Sequence, residues 1–325
     1  MLTWAGTLRT SKFPNQLLDK RLSAAQKLLK KKDSPMKIVA FLDHGQPGVG
    51  LVGADLLQLQ PFDLPAAQCR SGALAIIEMQ ARGEALPALL PALALADVQL
   101  TAPLPRPRRN IFCVGKNYFA HAKEFAGSGF DGGAQAGGDV PADPIIFTKV
   151  PESVVGPGAA IEMPAASSAI DYEAELAVVI GRGGKGILAA DAMAHVWGYT
   201  IVNDITARDW QSRHMQWHMG KSFDTFCPMG PWLVSVDECD GTRTQVRCFV
   251  NNELRQDAST SDLIFGIPKL IETLSAGITL YPGDVIATGT PAGVGVGFKP
   301  PKYLLAGDVV RVEIDGIGTL ENPVR

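Results

Sequence analysis

The chain has 325 residues, 46% of them hydrophobic, with a formal net charge of −3. That length and apolar content can bury a sizeable core in one large domain or two. The small net charge excludes a global pull toward nucleic acid or a membrane surface, and no apolar run approaches the roughly 20 residues that span a bilayer.

Residues 1–35 read as an N-terminal extension. Its stretch "DKRLSAAQKLLKKKDSP" is basic and weakly amphipathic, which predicts a peripheral helix over 17–31 ending before Ser34-Pro35. Arg9, Lys12, Lys20 and Arg21 would suit a targeting segment, whereas Asp19, Asp33 and the absence of a recognisable cleavage site favour a plain extension. From Met36, "KIVAFLD" and "GVGLVGADLLQL" read as short strands, and 71–81 and 88–96 as short helices. Pro103, Pro105 and Pro107 then make "APLPRPRR", a stiff stretch that can neither continue a helix nor donate to a ladder. A boundary there gives a small α/β domain over 36–105 and a second domain over 106–325.

The second domain alternates short β-runs with Gly, Pro and Asp: "NIFCVG", "PIIFTKV", "AELAVVIG", "GYTIVND", "PWLVSV", "QVRCFVNNEL", "DVIATG" and "DVVRVEIDGIGTLEN". Asn251-Asn252 and Asp315-Gly316 suit hairpin turns. The best helix spans 262–276, with Ser261 available as its cap. Residues 127–139, "GSGFDGGAQAGGD", cannot pack a core and predict a mobile loop. The fold class is therefore α+β and β-rich. Five scattered cysteines with no C-x-x-C pair suit reduced thiols in a cytoplasm better than a disulfide framework.

Three acidic positions carry the first chemical signal. In "IDYEAELAVVIG", Asp171, Glu173 and Glu175 alternate and an apolar run follows. Residues two apart on a strand share a face at roughly 6.5–7 Å, so Glu173 and Glu175 could converge on one cation. The alternative is an exposed edge strand with a solvated acidic face; the apolar run leans toward burial, where unpaired carboxylates are costly. "YTIVNDITARDWQ" places Asp204 at a strand end as a third ligand, with Arg208 and Gln211 along one face of a following turn, suited to an anionic substrate. An all-oxygen set without His or Cys fits Mg²⁺ or Mn²⁺ rather than zinc.

Further stretches add to it. "CVGKNYFAHAKEF" sets His121 and Glu124 three apart on a helix, where the carboxylate would raise imidazole basicity and fix its tautomer for general base work. A surface helix pair is the plain alternative. Lys221 in "GKSFDTFCPMGPW" could neutralise an oxyanion. Thr290 in "GDVIATGTPAGVG" could hold a carboxylate together with backbone N–H groups, and this loop lacks the G-K-[ST] ending of a phosphate loop.

Taken in order, the H-x-x-E pair, D-Y-E-A-E-L, N-D-I-T-A-R-D-x-Q, G-K-S-F-D-T-F and T-G-T-P-A-G-V-G resemble the fumarylacetoacetate hydrolase family over residues 109–322. The resemblance implies a mixed β-roll/β-sandwich catalytic domain after a smaller one, a homodimer, and one Mg²⁺ or Mn²⁺ held by Glu173, Glu175 and Asp204. It implies His121 and Glu124 as the acid–base dyad on a lid, Lys221 in the oxyanion environment, and Arg208, Gln211 and Thr290 on the substrate. Asp171 is not expected to be a ligand. The expected activity is hydrolysis of a C–C bond in an acylpyruvate- or fumarylpyruvate-like 2-oxo acid, through an enolate. The same enolate serves an isomerase or decarboxylase of a hydroxymuconate-type or β-keto diacid. A non-catalytic metal-binding protein would need the carboxylates but not the base. The expected setting is the cytoplasm, with a small-molecule partner and neither nucleic acid nor membrane.

Overall fold

The computed structural model describes residues 35–126, 140–214 and 216–325. The N-terminal helix expected over 17–31 and the loop expected over 127–139 lie outside the described residues.

A 12-stranded sheet forms the frame. Its path runs Leu93–Ala94, Gln58–Pro61, Gln46–Val52, Lys37–Asp43, Cys227–Ser235, Val196–Asn203, Ala174–Ile180, Val285–Ala287, Ile111–Gly115 and Ile145–Lys149. Gln99–Thr101 pairs beside Lys37–Asp43, and Val154–Val155 beside Cys227–Ser235. Neighbours on the path are antiparallel except Val285–Ala287 with Ile111–Gly115. All seven residues of Ala174–Ile180 are buried, which is why "AELAVVI" is apolar without alternation.

A four-stranded meander, Gln245–Val250, Glu253–Ser259, Val309–Ile314 and Gly318–Pro323, makes a second sheet. Gln245–Val250 alternates half-buried and buried residues, as a strand with one face on a core must. Val246, Val312 and Leu320 share a core with Leu176 and Val178 of the large sheet. The Asn251-Asn252 turn has φ of 51° and 66°, the two left-handed positions of a type I′ hairpin. The fold is α+β and strand-dominated, as the composition of the runs predicts. Among the described residues no helix is long and apolar enough to cross a membrane, and all five cysteines are buried and unbridged.

Residues 35–325 form one compact unit. Lys37 lies opposite Val234 and Ile38 opposite Leu233, so the strands of 36–105 extend the sheet that residues beyond 106 build. The proline-rich stretch between them interrupts the chain but not the hydrogen bonding.

Two helices differ from expectation. Over 88–96 there is no α-helix: Leu89 bridges Phe62, Leu93–Ala94 is a strand, and Leu95–Asp97 is one 3₁₀ turn. Pro91 lacks the N–H and crowds the preceding turn, so the segment follows the sheet edge instead. The long helix begins at Ile267 rather than Asp262, with Gly266 at its N-cap and Pro268 in its first turn. Ser259, not Ser261, is the capping residue here, and it serves only the 3₁₀ turn Thr260–Asp262. Residues 263–265 are not helical, and Asn117 holds them: Ile264 N–H donates to the Asn117 carbonyl at 2.7 Å and Phe265 N–H to its Oδ1 at 2.8 Å.

Candidate active site

The acidic stretch is two strands, not one. Ile170–Asp171 pairs with Thr206–Ala207, and Ala174–Ile180 pairs with Val196–Asn203 and Val285–Ala287. At the step between them, Glu173 N–H donates to Asn203 Oδ1 at 3.0 Å, and the Glu173 carbonyl accepts from Asp204 N–H at 2.8 Å. The following strand is interior, which excludes a solvated edge. Glu173, Glu175 and Asp204 each bring a carboxylate oxygen within 4.8 Å of the others, and all three are buried.

Buried cations hold these acids. Lys221 Nζ donates to Glu173 Oε2 at 2.7 Å and to Asp204 Oδ2 at 2.8 Å. Lys149 Nζ donates to Asp204 Oδ1 at 2.6 Å. Arg208 reaches Asp171 through Nε and Glu173 through Nη2, both at 2.8 Å, and Gln211 Oε1 through Nη1 at 3.1 Å. Four buried carboxylates, counting Asp171, therefore meet three buried cations. Burial opposes the charge on Glu173, but Lys221 and Arg208 beside it bring its carboxyl down to about 2. Among the described residues no cation forms an ion pair with Glu175: burial, then the charges of Asp204 and Glu173, push it well above the ordinary glutamate range. A proton on Glu175 balances the cluster, and a divalent cation could take that proton's place. Three oxygen donors of this kind fit Mg²⁺ or Mn²⁺.

The helix Phe119–Ala126 carries His121 and Glu124. His121 is buried, and its Nδ1 lies 3.3 Å from Glu124 Oε2. Glu124 is anchored from the other side: Gly293 N–H donates to its two oxygens at 3.0 and 3.2 Å. The same glycine-rich segment donates Gly289 N–H to Glu175 at 2.9 Å, and Gly295 and Val296 N–H to Asp171 at 2.6 and 2.9 Å. One loop thus fixes three carboxylates that come from three different elements, using backbone alone. A Cβ on Gly297 would run into the Glu124 carboxyl, a flexible group that can swing away. Gly297→Ala is therefore expected to leave the melting temperature near that of the parent while lowering kcat at least tenfold, because Glu124 loses its place beside His121. Unchanged kcat would show that the dyad does not depend on this contact.

Seven of the nine residues expected at the site line one cavity: His121, Glu173, Glu175, Arg208, Gln211, Lys221 and Thr290. Glu124 meets it through His121, and Asp204 through Lys221 and the triad. Phe147 and Trp217 add an apolar wall, edge to face at 5.3 Å. Arg208 has each guanidinium nitrogen engaged within the protein, so it positions Glu173 and Gln211. Lys221 likewise bonds two carboxylates, with its ammonium 5.0 Å from the Phe147 ring centre. Thr290 Oγ1 accepts from Gln256 Nε2 at 2.8 Å, which leaves the hydroxyl proton to be donated elsewhere. Gln256 in turn accepts from Ala174 N–H, between the two glutamates, at 3.0 Å.

Sequence reasoning passed over Lys149, Gln256 and the clamp made by Asp171. Lys149 had one signal, a lysine closing the apolar run "PIIFTK" at a fully buried position.

Comparison with known proteins agrees with this geometry. The family model described as Fumarylacetoacetate (FAA) hydrolase C-terminal matches residues 110–325. Oxaloacetate tautomerase YisK of Bacillus subtilis (strain 168) is 53% identical over 235 residues, covering 71% of this chain and 74% of that protein. The mitochondrial oxaloacetate tautomerase FAHD2A of Homo sapiens is 43% identical over 277 residues, 84% of each. Among solved structures, a fumarylacetoacetate hydrolase from psychrophilic Exiguobacterium antarcticum superposes with a TM-score of 0.74 at 41% identity, covering 89% of this chain and 99% of that one. A 2-hydroxyhepta-2,4-diene-1,7-dioate isomerase from Mycobacterium marinum gives a TM-score of 0.70 at 35% identity, covering 89% and 98%. With its motifs, its fold and two thirds of its length matched in this way, the chain belongs to the fumarylacetoacetate hydrolase family.

Proposed function

We propose that the protein interconverts the enol and keto forms of a 2-oxo diacid of the oxaloacetate kind. The observation that carries this reading is one cavity lined by both a buried imidazole with a carboxylate partner and two members of an all-carboxylate triad. Proton transfer next to a carbonyl needs a base and a counter-charge for the enolate, and this cavity offers both. A divalent cation held by Glu173, Glu175 and Asp204, Mg²⁺ or Mn²⁺, would supply Lewis-acid stabilisation of the 2-oxo oxygen.

The chain's own groups do the rest. Glu124 accepts the Nδ1 proton of His121, which leaves Nε2 as the base. The proton leaves C3 for Nε2, the electron pair moves to the 2-oxo oxygen, and protonation of that oxygen completes the enol. The reverse path returns the ketone. Thr290 donates its hydroxyl proton to a substrate carboxylate, and Gln211, held by Arg208, orients the same end.

The relatives named as oxaloacetate tautomerases favour proton transfer alone over the C–C hydrolysis expected from sequence. Hydrolysis is the second reading, supported by the structural neighbour named as a hydrolase. It would need the same base to deliver water to a distal carbonyl. The test assays enol-oxaloacetate beside acylpyruvates, fumarylpyruvate and unsaturated 2-oxo diacids, with Mg²⁺ and with chelator. Mg²⁺-dependent ketonisation without cleavage products is expected. Cleavage of an acylpyruvate with slow ketonisation would replace the tautomerase by the hydrolase, and turnover of none would leave a metal-binding protein. We further propose a cytoplasmic homodimer; a monomer in sedimentation equilibrium would overturn the assembly.

A further inference from the structure

We infer that Gln256 is a positioning residue that makes the Thr290 hydroxyl a fixed donor toward the substrate carboxylate; this rests on the 2-oxo diacid reading above. Gln256 lies on the strand Glu253–Ser259 of the second sheet and is only 1% exposed. A buried amide is costly unless its groups are met. Its Oε1 accepts from Ala174 N–H at 3.0 Å, and its Nε2 donates to Thr290 Oγ1 at 2.8 Å and to the Pro291 carbonyl at 2.7 Å. Two of these partners cannot change role. A backbone N–H only donates and a carbonyl only accepts, so the amide has one orientation. Of its two Nε2 protons, one goes to Pro291 and the other to Thr290. The hydroxyl therefore accepts on its inner side, and its own proton is left for the cavity that Thr290 lines.

The strand itself adds a second, independent observation. In a regular strand, residues two apart share a face, so Leu254 and Gln256 would point the same way. Instead Leu254 is 50% exposed while Gln256 is buried. A bulge separates them: Cys248 pairs with Gln256 and Phe249 with Leu254, which leaves Arg255 as the extra residue. A bulge re-aims a side chain, and this one sends the amide inward while a leucine stays at the surface. Packing alone favours the reverse. The loop after Thr290 is seated on the same bulge: Gly293 has φ of 103°, and a Cβ there would meet the Arg255 carbonyl at 1.8 Å. A freely turning hydroxyl shows an anion a lone pair as readily as a proton. One whose inner side is already filled shows the proton, and spends no ordering when a carboxylate arrives.

The test is a double-mutant cycle on the full chain with Mg²⁺, read by calorimetry with malate, a diacid that needs no turnover. Thr290→Val removes the hydroxyl at constant shape, and Gln256→Met removes the amide at nearly constant length. Gln256→Met is expected to weaken malate binding about 3- to 10-fold, the worth of one hydrogen bond, and to raise KM for enol-oxaloacetate more than it lowers kcat. In the Thr290→Val background the same change is expected to cost less than about twofold, because no hydroxyl is left to orient. A merely structural amide would weaken binding equally in both backgrounds. That result, or no loss with threonine present, would overturn the inference. Gln256→Glu keeps an acceptor for Ala174 N–H and repeats the cycle where the methionine variant folds poorly. A glutamate side chain has at most one proton for two acceptors, so the Thr290 proton gains an acceptor inside the protein; any added charge acts in both backgrounds and cancels from the cycle. Malate binding without ketonisation would sink the tautomerase alone, whereas a parent that binds no malate would overturn this inference as well.

Discussion

Asp204→Ala is expected to cost the fold about 3–5 kcal/mol, whereas Glu175→Gln is expected to cost it little, and both should abolish Mg²⁺ binding. The contrast follows from who compensates whom. Asp204 holds Lys149 with one oxygen and Lys221 with the other, and all three side chains are buried. Its removal leaves Lys149 with no carboxylate and Lys221 with Glu173 alone, in a site with little solvent. Burial and the charges of Asp204 and Glu173 raise the Glu175 carboxyl well above the ordinary glutamate range, which favours its neutral form. A glutamine matches that form in shape and charge, and can still accept from Gly289 N–H.

The same logic gives a pH signature. A carboxyl whose folded value is raised above 4.5 favours folding below that value, and the advantage is lost as pH climbs toward the raised value. Metal-free protein should therefore lose stability across that rise, and Glu175→Gln should flatten the slope. Denaturant titrations in chelator, with calorimetry for Mg²⁺, measure both effects. Parent-like Mg²⁺ affinity in either variant would remove the triad as the metal site.

His121→Ala is expected to lower kcat by about 10²–10⁴-fold, the usual worth of general acid–base catalysis, with Mg²⁺ affinity near that of the parent. Glu124→Ala should lose a similar amount, and the double variant little more, because two groups acting as one unit are not additive. Glu124 also carries the Gly293 contact, so its loss frees the loop as well as the imidazole. A near-normal kcat for His121→Ala would defeat the mechanism even with the metal site intact.

What could be read in advance depended on period and spacing. Alternation put Glu173 and Glu175 on one side, and the end of an apolar run put Asp204 at its edge; both are local facts, visible in one stretch. Arg208 and Lys221 were read as site residues, but the pairing of cation with carboxylate was not, because Lys149 meets Asp204 across 55 positions and Asp171 meets Arg208 across 37. A lysine in an apolar strand has no sequence mark that says which carboxylate awaits it. Gln256 was equally silent, since its partners Ala174 and Thr290 belong to two other elements. The errors were proline errors: a helical period over 88–96 outweighed Pro91, and the start expected at Asp262 ignored the preference of Pro268 for a first turn.

The pairing of Lys37–Asp43 with Cys227–Ser235 bears on which piece of the chain can be handled alone. The matched family region begins at residue 110. A fragment cut there would strip the neighbours from Leu233, Val234 and Ser235, the last of which exchanges hydrogen bonds with Met36. An interior strand of nine buried residues would then become a bare, apolar rim, ready to recruit another chain. The smallest piece that keeps the catalytic sheet sealed starts near Pro35.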